Sequence, residues 1–107
     1  MNALSRRGAL VCALLTAPAF AQDAAALRAH SLAATCAQCH GTDGRAIEGA
    51  AVPGLAGMPA VYFSEQMRAF KGGARAGTVM PQLAKGYSDA QIEQLAAWFA
   101  QAPGTRQ

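Results

Sequence analysis

Two cysteines three positions apart, followed at once by a histidine, occupy Cys36-Ala37-Gln38-Cys39-His40. At a helix end, that spacing lets two thiols add to the two vinyl groups on one edge of a porphyrin. The next residue then places an imidazole under the iron, and C-x-x-C-H is the attachment pattern of c-type haem. Three other chemistries compete for the same residues. A zinc site needs about four ligands, and the remaining candidate, His30, has no paired motif. A thioredoxin-like redox pair expects a strand before the motif, where a helix is predicted instead. A structural disulfide leaves His40 and two long loops without a purpose.

An iron held by His40 needs a second axial ligand or an open position. The candidates are His30, Met58, Met67 and Met80. His30 lies on the predicted first helix, where a surface or capping role is the ordinary reading. Met67 shares the apolar face of the second helix, the usual place for a packing methionine. Met58, in Gly57-Met58-Pro59, is the rival. Met80 stands between Val79 and Pro81 in the second loop, far enough from His40 for the chain to wrap over the opposite haem face, and is the expected ligand. His/Met ligation raises the potential and fills both axial positions.

The elements that must position these residues are helical. Asp23 is expected to cap a first helix running through Ala24, Leu27, Leu32 and Ala33 toward Cys36, rich in alanine and so favoured by propensity. Residues 41–57 hold five glycines and a proline without apolar periodicity and read as a loop. Pro59 suits the first turn of a second helix in which Tyr62, Phe63, Met67 and Phe70 recur at helical spacing, stopped by Gly72-Gly73. A second loop spans residues 74–87. Ser88 with Gln91 forms a capping-box pattern opening a third helix, whose Ile92, Leu95, Ala96 and Phe99 share one face before Pro103-Gly104. No strand pattern or internal repeat is present.

Composition sets the remaining bounds. The chain has 107 residues, 52% hydrophobic and 14% charged, with nine basic and six acidic residues. One small domain fits that length, and no basic cluster is present to grip nucleic acid. Residues 1–21 read as a cleaved export signal: Arg6-Arg7, an apolar run from Gly8 to Thr16, and Ala19-Phe20-Ala21. The run is too short for a permanent membrane anchor. Cleavage leaves residues 22–107 as the mature domain, removes Cys12, and places the protein in the periplasm. It also removes two of the nine basic residues, so the formal charge falls from +3 to +1. A core this small calls for a staple, which a covalent cofactor provides.

The order Cys36–His40, Pro53-Gly54-Leu55-Ala56-Gly57, Thr78-Val79-Met80-Pro81 and Leu95-Ala96-Ala97-Trp98-Phe99 resembles a class I cytochrome c over nearly the whole mature chain. The resemblance implies an all-α fold, three main helices and long loops wrapped around one covalently bound haem c. It implies thioethers at Cys36 and Cys39, with His40 and Met80 as axial ligands. It further implies that the Pro53 carbonyl orients His40, and that the first and last helices cross with Ala29 and Ala33 facing Trp98 or Phe99. The segment from Phe63 to Gly73, with Thr78-Val79-Met80 and Ala84-Lys85-Gly86-Tyr87-Ser88, is similar to the cytochrome subunit of flavocytochrome c sulfide dehydrogenase. That narrower resemblance implies an electron-accepting subunit beside a flavoprotein dehydrogenase, passing electrons to a downstream cytochrome or oxidase. The sulfide chemistry itself would lie elsewhere, since no flavin-binding motif is present.

The competing readings are a free shuttle to a terminal oxidase, and a haem enzyme or ligand sensor with a labile sixth position. Arg45, Lys71, Lys85, Tyr62 and Tyr87 are candidates for propionate contacts, with solvated surface as the default for the charged ones and a staple role for Tyr87. With Lys71 and Lys85 its only lysines, and the propionates offsetting the remaining charge, the protein lacks a basic ring for steering partners. The rate of reduction by its partner is therefore expected to change little between low and moderate salt, read by stopped-flow absorbance; a steep fall would contradict an apolar docking face.

Overall fold

A computed structural model describes the backbone of residues 19–104, with side chains described from residue 22. The expected export signal falls almost wholly outside the described residues. The described residues form, in order, α1 (Ala19–Ala34), α2 (Ala37–His40), the 3-10 turn Thr42–Gly44, α3 (Ala60–Gly72), α4 (Met80–Ala84) and α5 (Asp89–Gln101). Among the described residues there is no strand, in keeping with the all-α expectation.

The three long helices form where apolar periodicity and propensity place them; the buried face of α3 differs in detail from the expected one. Helix α1 begins at Ala19, so Asp23 lies inside it rather than capping it. Its alanine-rich sequence sustains helix without that cap. Leu27 is 65% exposed, while Ala33 is buried and Leu32 packs beside the core. On α3 the buried side chains are Phe63, Ser64 and Met67, whereas Tyr62 faces outward at 48% exposed. Tyr62 is one residue from Phe63, about 100° around the helix, and the two cannot share a narrow face. Pro59 is the N-cap rather than the first helical residue, and Gly73 ends the helix with its N–H bonded to the Phe70 carbonyl.

The last helix is the centre of the core. Ser88 Oγ accepts from the Gln91 N–H, and Gln91 Oε1 accepts from the Ser88 N–H, a complete capping box. Ile92, Leu95, Ala96 and Phe99 are fully buried on one face of α5. Phe99 meets Phe63 of α3 at a ring-centroid distance of 5.6 Å. Across the other side α1 packs on α5, with Ala33 in the shared core and the His30 ring 5.2 Å from Trp98.

The second loop, 74–87, contains a short helix. Residues 80–84 form α4, with Pro81 in its first turn and Ala84 fully buried against the core. Five residues are too few for periodicity to register, and proline at a first turn starts a helix without losing a hydrogen bond.

The loop after His40 is fixed from inside. Gly44 has φ +74° and is buried, and its carbonyl accepts from the Leu55 and Ala56 N–H groups. A Cβ at residue 44 would stand 2.9 Å from Leu55 Cβ, from Phe99 Cδ1 and from the Ala56 nitrogen. Gly49 has a similar φ of +76° but open space around it. Gly44→Ala is accordingly expected to lose at least about 2 kcal/mol, left-handed strain plus overpacking, while Gly49→Ala loses about 1 kcal/mol from strain alone. Denaturant unfolding of both variants measures the difference.

Candidate functional site

The residues singled out by type and spacing lie along one path of chain. Helix α1 ends at Ala34 because the Thr35 and Cys36 N–H groups fold back onto the Leu32 and Ala33 carbonyls. Cys36 then caps α2, whose four residues Ala37–His40 carry Cys39 and His40 outward. Both cysteines are free thiols. Cys36 is half-buried and Cys39 exposed, so one sulfur is held and the other is accessible.

Cys36 lies beside a polar pair that ties three elements together. Thr35 Oγ1 is 3.9 Å from Cys36 Sγ, donates to the Leu32 carbonyl, and stands 2.7 Å from the Tyr87 hydroxyl. Burial pushes the Cys36 thiol up from its ordinary value, and hydrogen bonds from Thr35 and Tyr87 act against that rise. Lys71 Nζ donates to the Tyr87 carbonyl at 2.8 Å and to Asp89 Oδ1 at 2.9 Å. Of the residues weighed for propionate contacts, Lys71 and Tyr87 are thus engaged in tying α3 to the start of α5, and Arg45 pairs with Asp43.

His40 Nδ1 is 2.6 Å from the Pro53 carbonyl oxygen. A carbonyl only accepts, so Nδ1 carries the proton and Nε2 is left with its lone pair. That is the tautomer a metal needs, with the backbone partner that orients such a ligand. Two free thiols and an imidazole so prepared fit a c-type haem by the chemistry of the donor set. Among the described residues no group of three or more His, Cys, Asp or Glu gathers as a metal-binding cluster.

Met80 opens α4, half-buried, its side chain packed against the core formed by α3 and α5; Val79 and Leu83 flank it, 56% and 51% exposed. Met58 is also half-buried against the core, and Met67 is buried within it. His30 does not join His40: its Nε2 lies 3.8 Å from Asp43 Oδ1, and its ring stacks on Trp98. A shallow groove of about 650 Å³ between α1 and α5 is lined by Leu27, His30, Asp43 and Trp98, and contains none of Cys36, Cys39, His40 or Met80. The Thr35–Tyr87 contact, 52 residues apart in sequence, had no sequence signal, since neither hydroxyl belongs to a motif.

Comparison with known proteins sets this geometry in context. Residues 22–99 match the family described as cytochrome c oxidase, cbb3-type, subunit III. Over 88% of its length the chain is 39% identical to a thiosulfate dehydrogenase electron acceptor of Thiomonas intermedia, and covers 43% of that protein. It is 38% identical to a cytochrome subunit of sulfide dehydrogenase of Chlorobaculum tepidum, over 67% of this chain and 64% of that one. A cytochrome c-554(548) of Halomonas halodenitrificans is 36% identical over 62% of this chain, which covers 82% of that protein. The chain thus spans well under the full length of the first two relatives.

The hydrogen bond from Lys71, and then its charge, hold the Asp89 carboxyl below the usual carboxylate range. A carboxyl depressed in the folded state stabilises above its unfolded pKa of about 3.9 and loses that contribution as pH falls through its folded value. Asp89→Asn is therefore expected to unfold at lower denaturant than wild type at neutral pH and low salt. The two should converge well below pH ~3.9, and also in high salt, because the pair is exposed. Denaturation midpoints across pH test this.

Proposed function

We propose, from the premise that the chain belongs to the c-type cytochrome family described as cytochrome c oxidase, cbb3-type, subunit III, that it is the electron-accepting cytochrome of a periplasmic dehydrogenase for reduced inorganic sulfur. Membership carries electron transfer by a single covalent haem c in an all-helical class I cytochrome domain. When bound, the haem iron supplies a one-electron couple.

The chain's own residues divide the work. Cys36 and Cys39 would form the two thioethers. His40 would donate the Nε2 lone pair, with its ring held and its basicity raised by the Pro53 carbonyl at 2.6 Å. Met80 would supply the opposite sulfur, and the exposed Val79 and Leu83 beside it offer apolar surface to a macrocycle. His40 and Met80 together would hold the iron with protein groups, which suits an electron carrier. Residues 1–21 would serve as the export signal; among the described residues no helix is long and apolar enough to cross a membrane.

The observation that carries the dehydrogenase reading is the similarity to an electron acceptor of thiosulfate dehydrogenase and to a cytochrome subunit of sulfide dehydrogenase, at 39% and 38% identity. A flavoprotein is the expected partner for sulfide. A second reading, a free shuttle to an oxidase, is favoured by the Halomonas cytochrome, most of whose length this chain covers.

The ligand set is tested by spectroscopy. Met80→Ala is expected to abolish the weak ferric absorption band at the red end of the visible, and Met58→Ala to leave it in place; the reverse would assign Met58. Reduction of the purified holoprotein by sulfide or thiosulfate only in the presence of the cognate dehydrogenase supports the subunit reading. Equal reduction by unrelated donors supports the shuttle.

A further inference from the structure

The segment that delivers Met80 has almost nothing of its own to hold it. Residues 72–79 read Gly-Gly-Ala-Arg-Ala-Gly-Thr-Val, and every one of them is exposed. Such a segment has high conformational entropy and few buried contacts to offset it. Downstream, α4 is anchored by the fully buried Ala84. Upstream, the single long side chain is that of Arg75.

Arg75 folds back onto α3 instead of extending into solvent. Its guanidinium lies over the Phe70 ring, 4.5 Å from the centroid, and its Nη1 donates to Gln66 Oε1 at 2.6 Å. Its backbone N–H donates to the Ala69 carbonyl at 3.0 Å. The same Phe70 ring abuts the loop a second time: a Cβ at Gly77 would stand 3.1 Å from Phe70 Cε1 and 3.2 Å from Pro81 Cδ. The contacts therefore run from Arg75 to Phe70, to Gly77, to Pro81, which is the neighbour of Met80. Guanidinium stacking and the planar fork to an amide oxygen are properties lysine does not reproduce.

We propose that Arg75, clamped on Phe70 and Gln66, is the positioning residue that holds the 73–79 segment on α3 and so presents the Met80 sulfur to the haem iron. This rests on Met80 being the axial ligand. The clamp biases an equilibrium between a seated loop and a lifted one, and a competing iron ligand can bind only when the loop is lifted. The apparent affinity of that competitor then scales with the lifted population.

Imidazole is the probe, titrated into the purified ferric holoprotein and followed by loss of the red-end absorption band. Removing one stacked cation and its hydrogen bond is expected to raise the lifted population about tenfold. Arg75→Ala should then bind imidazole about tenfold more tightly than wild type, and Arg75→Lys should fall between them. Arg68→Ala breaks the Arg68–Glu93 pair joining α3 to α5, so it reports a merely structural loss, and Lys85→Ala removes an exposed loop charge; both should match wild type. Imidazole affinity unchanged in Arg75→Ala, or tightened equally in Arg68→Ala, overturns the clamp while leaving Met80 as ligand. A wild-type protein without the band, or one whose band survives Met80→Ala, overturns the ligand reading and the clamp with it.

Discussion

The hydrogen bond between His40 Nδ1 and the Pro53 carbonyl closes a stretch of chain whose only buried residue is Gly44. Without buried side chains, that stretch takes its shape from backbone hydrogen bonds and from the surface it rests on. The Gly44 carbonyl gathers the Leu55 and Ala56 N–H groups, and Phe99 fills the space a Cβ at residue 44 would need. The Gly57 N–H then bonds the Phe99 carbonyl at 2.8 Å. The histidine is thus oriented through a short chain of contacts that ends on the fully buried face of α5. A ring hydrogen-bonded in this way carries its proton on Nδ1 and leaves the Nε2 lone pair free, the tautomer that suits a metal ligand.

The same helix supports the opposite side of the site. Helix α3 packs on α5 through Phe63 and Phe99, and exposed ion pairs Arg68–Glu93 and Lys71–Asp89 run alongside. Pairs of that kind contribute little each, so the apolar contact carries the packing. Lys71 also reaches the Tyr87 carbonyl, and the Tyr87 hydroxyl meets Thr35 next to Cys36. One residue thereby joins α3, the entry to α5 and the cysteine-bearing turn. Among the described residues the core holds nine buried hydrophobic residues, three of them the alanines Ala33, Ala84 and Ala96. So small a core is marginal by itself, and a covalent apolar group of haem size would add contact area to it.

How much was legible in sequence varied with the range of the interaction. The capping box of Ser88 and Gln91 and the face Ile92, Leu95, Ala96, Phe99 are local patterns, and they stand in the structure as read. Tyr62 recurs with Phe63, Met67 and Phe70 at helical spacing, yet it lies outward, because spacing fixes an angle on a helix and not where its partner sits. Helix α4 was too short to register, and Asp23 read as a cap in a stretch where alanines carry the helix past it. The ties made by Lys71 and Tyr87 follow no local pattern, since their partners are remote in sequence.

The sequence alone determined the chemistry available: two thiols and an imidazole at a fixed spacing, a methionine far downstream, a proline-glycine loop between, and helices of defined length to frame them. Those are properties of residue type and short-range order, and they do not depend on which distant groups meet. The tertiary structure decided which carbonyl meets His40, which hydroxyls stand by Cys36, and what holds the segment before Met80. Each of these is a contact between groups 13 or 52 residues apart, or one made by a loop with no periodicity. Such contacts exist only once α5 has brought α1, α3 and the intervening loops onto one buried face.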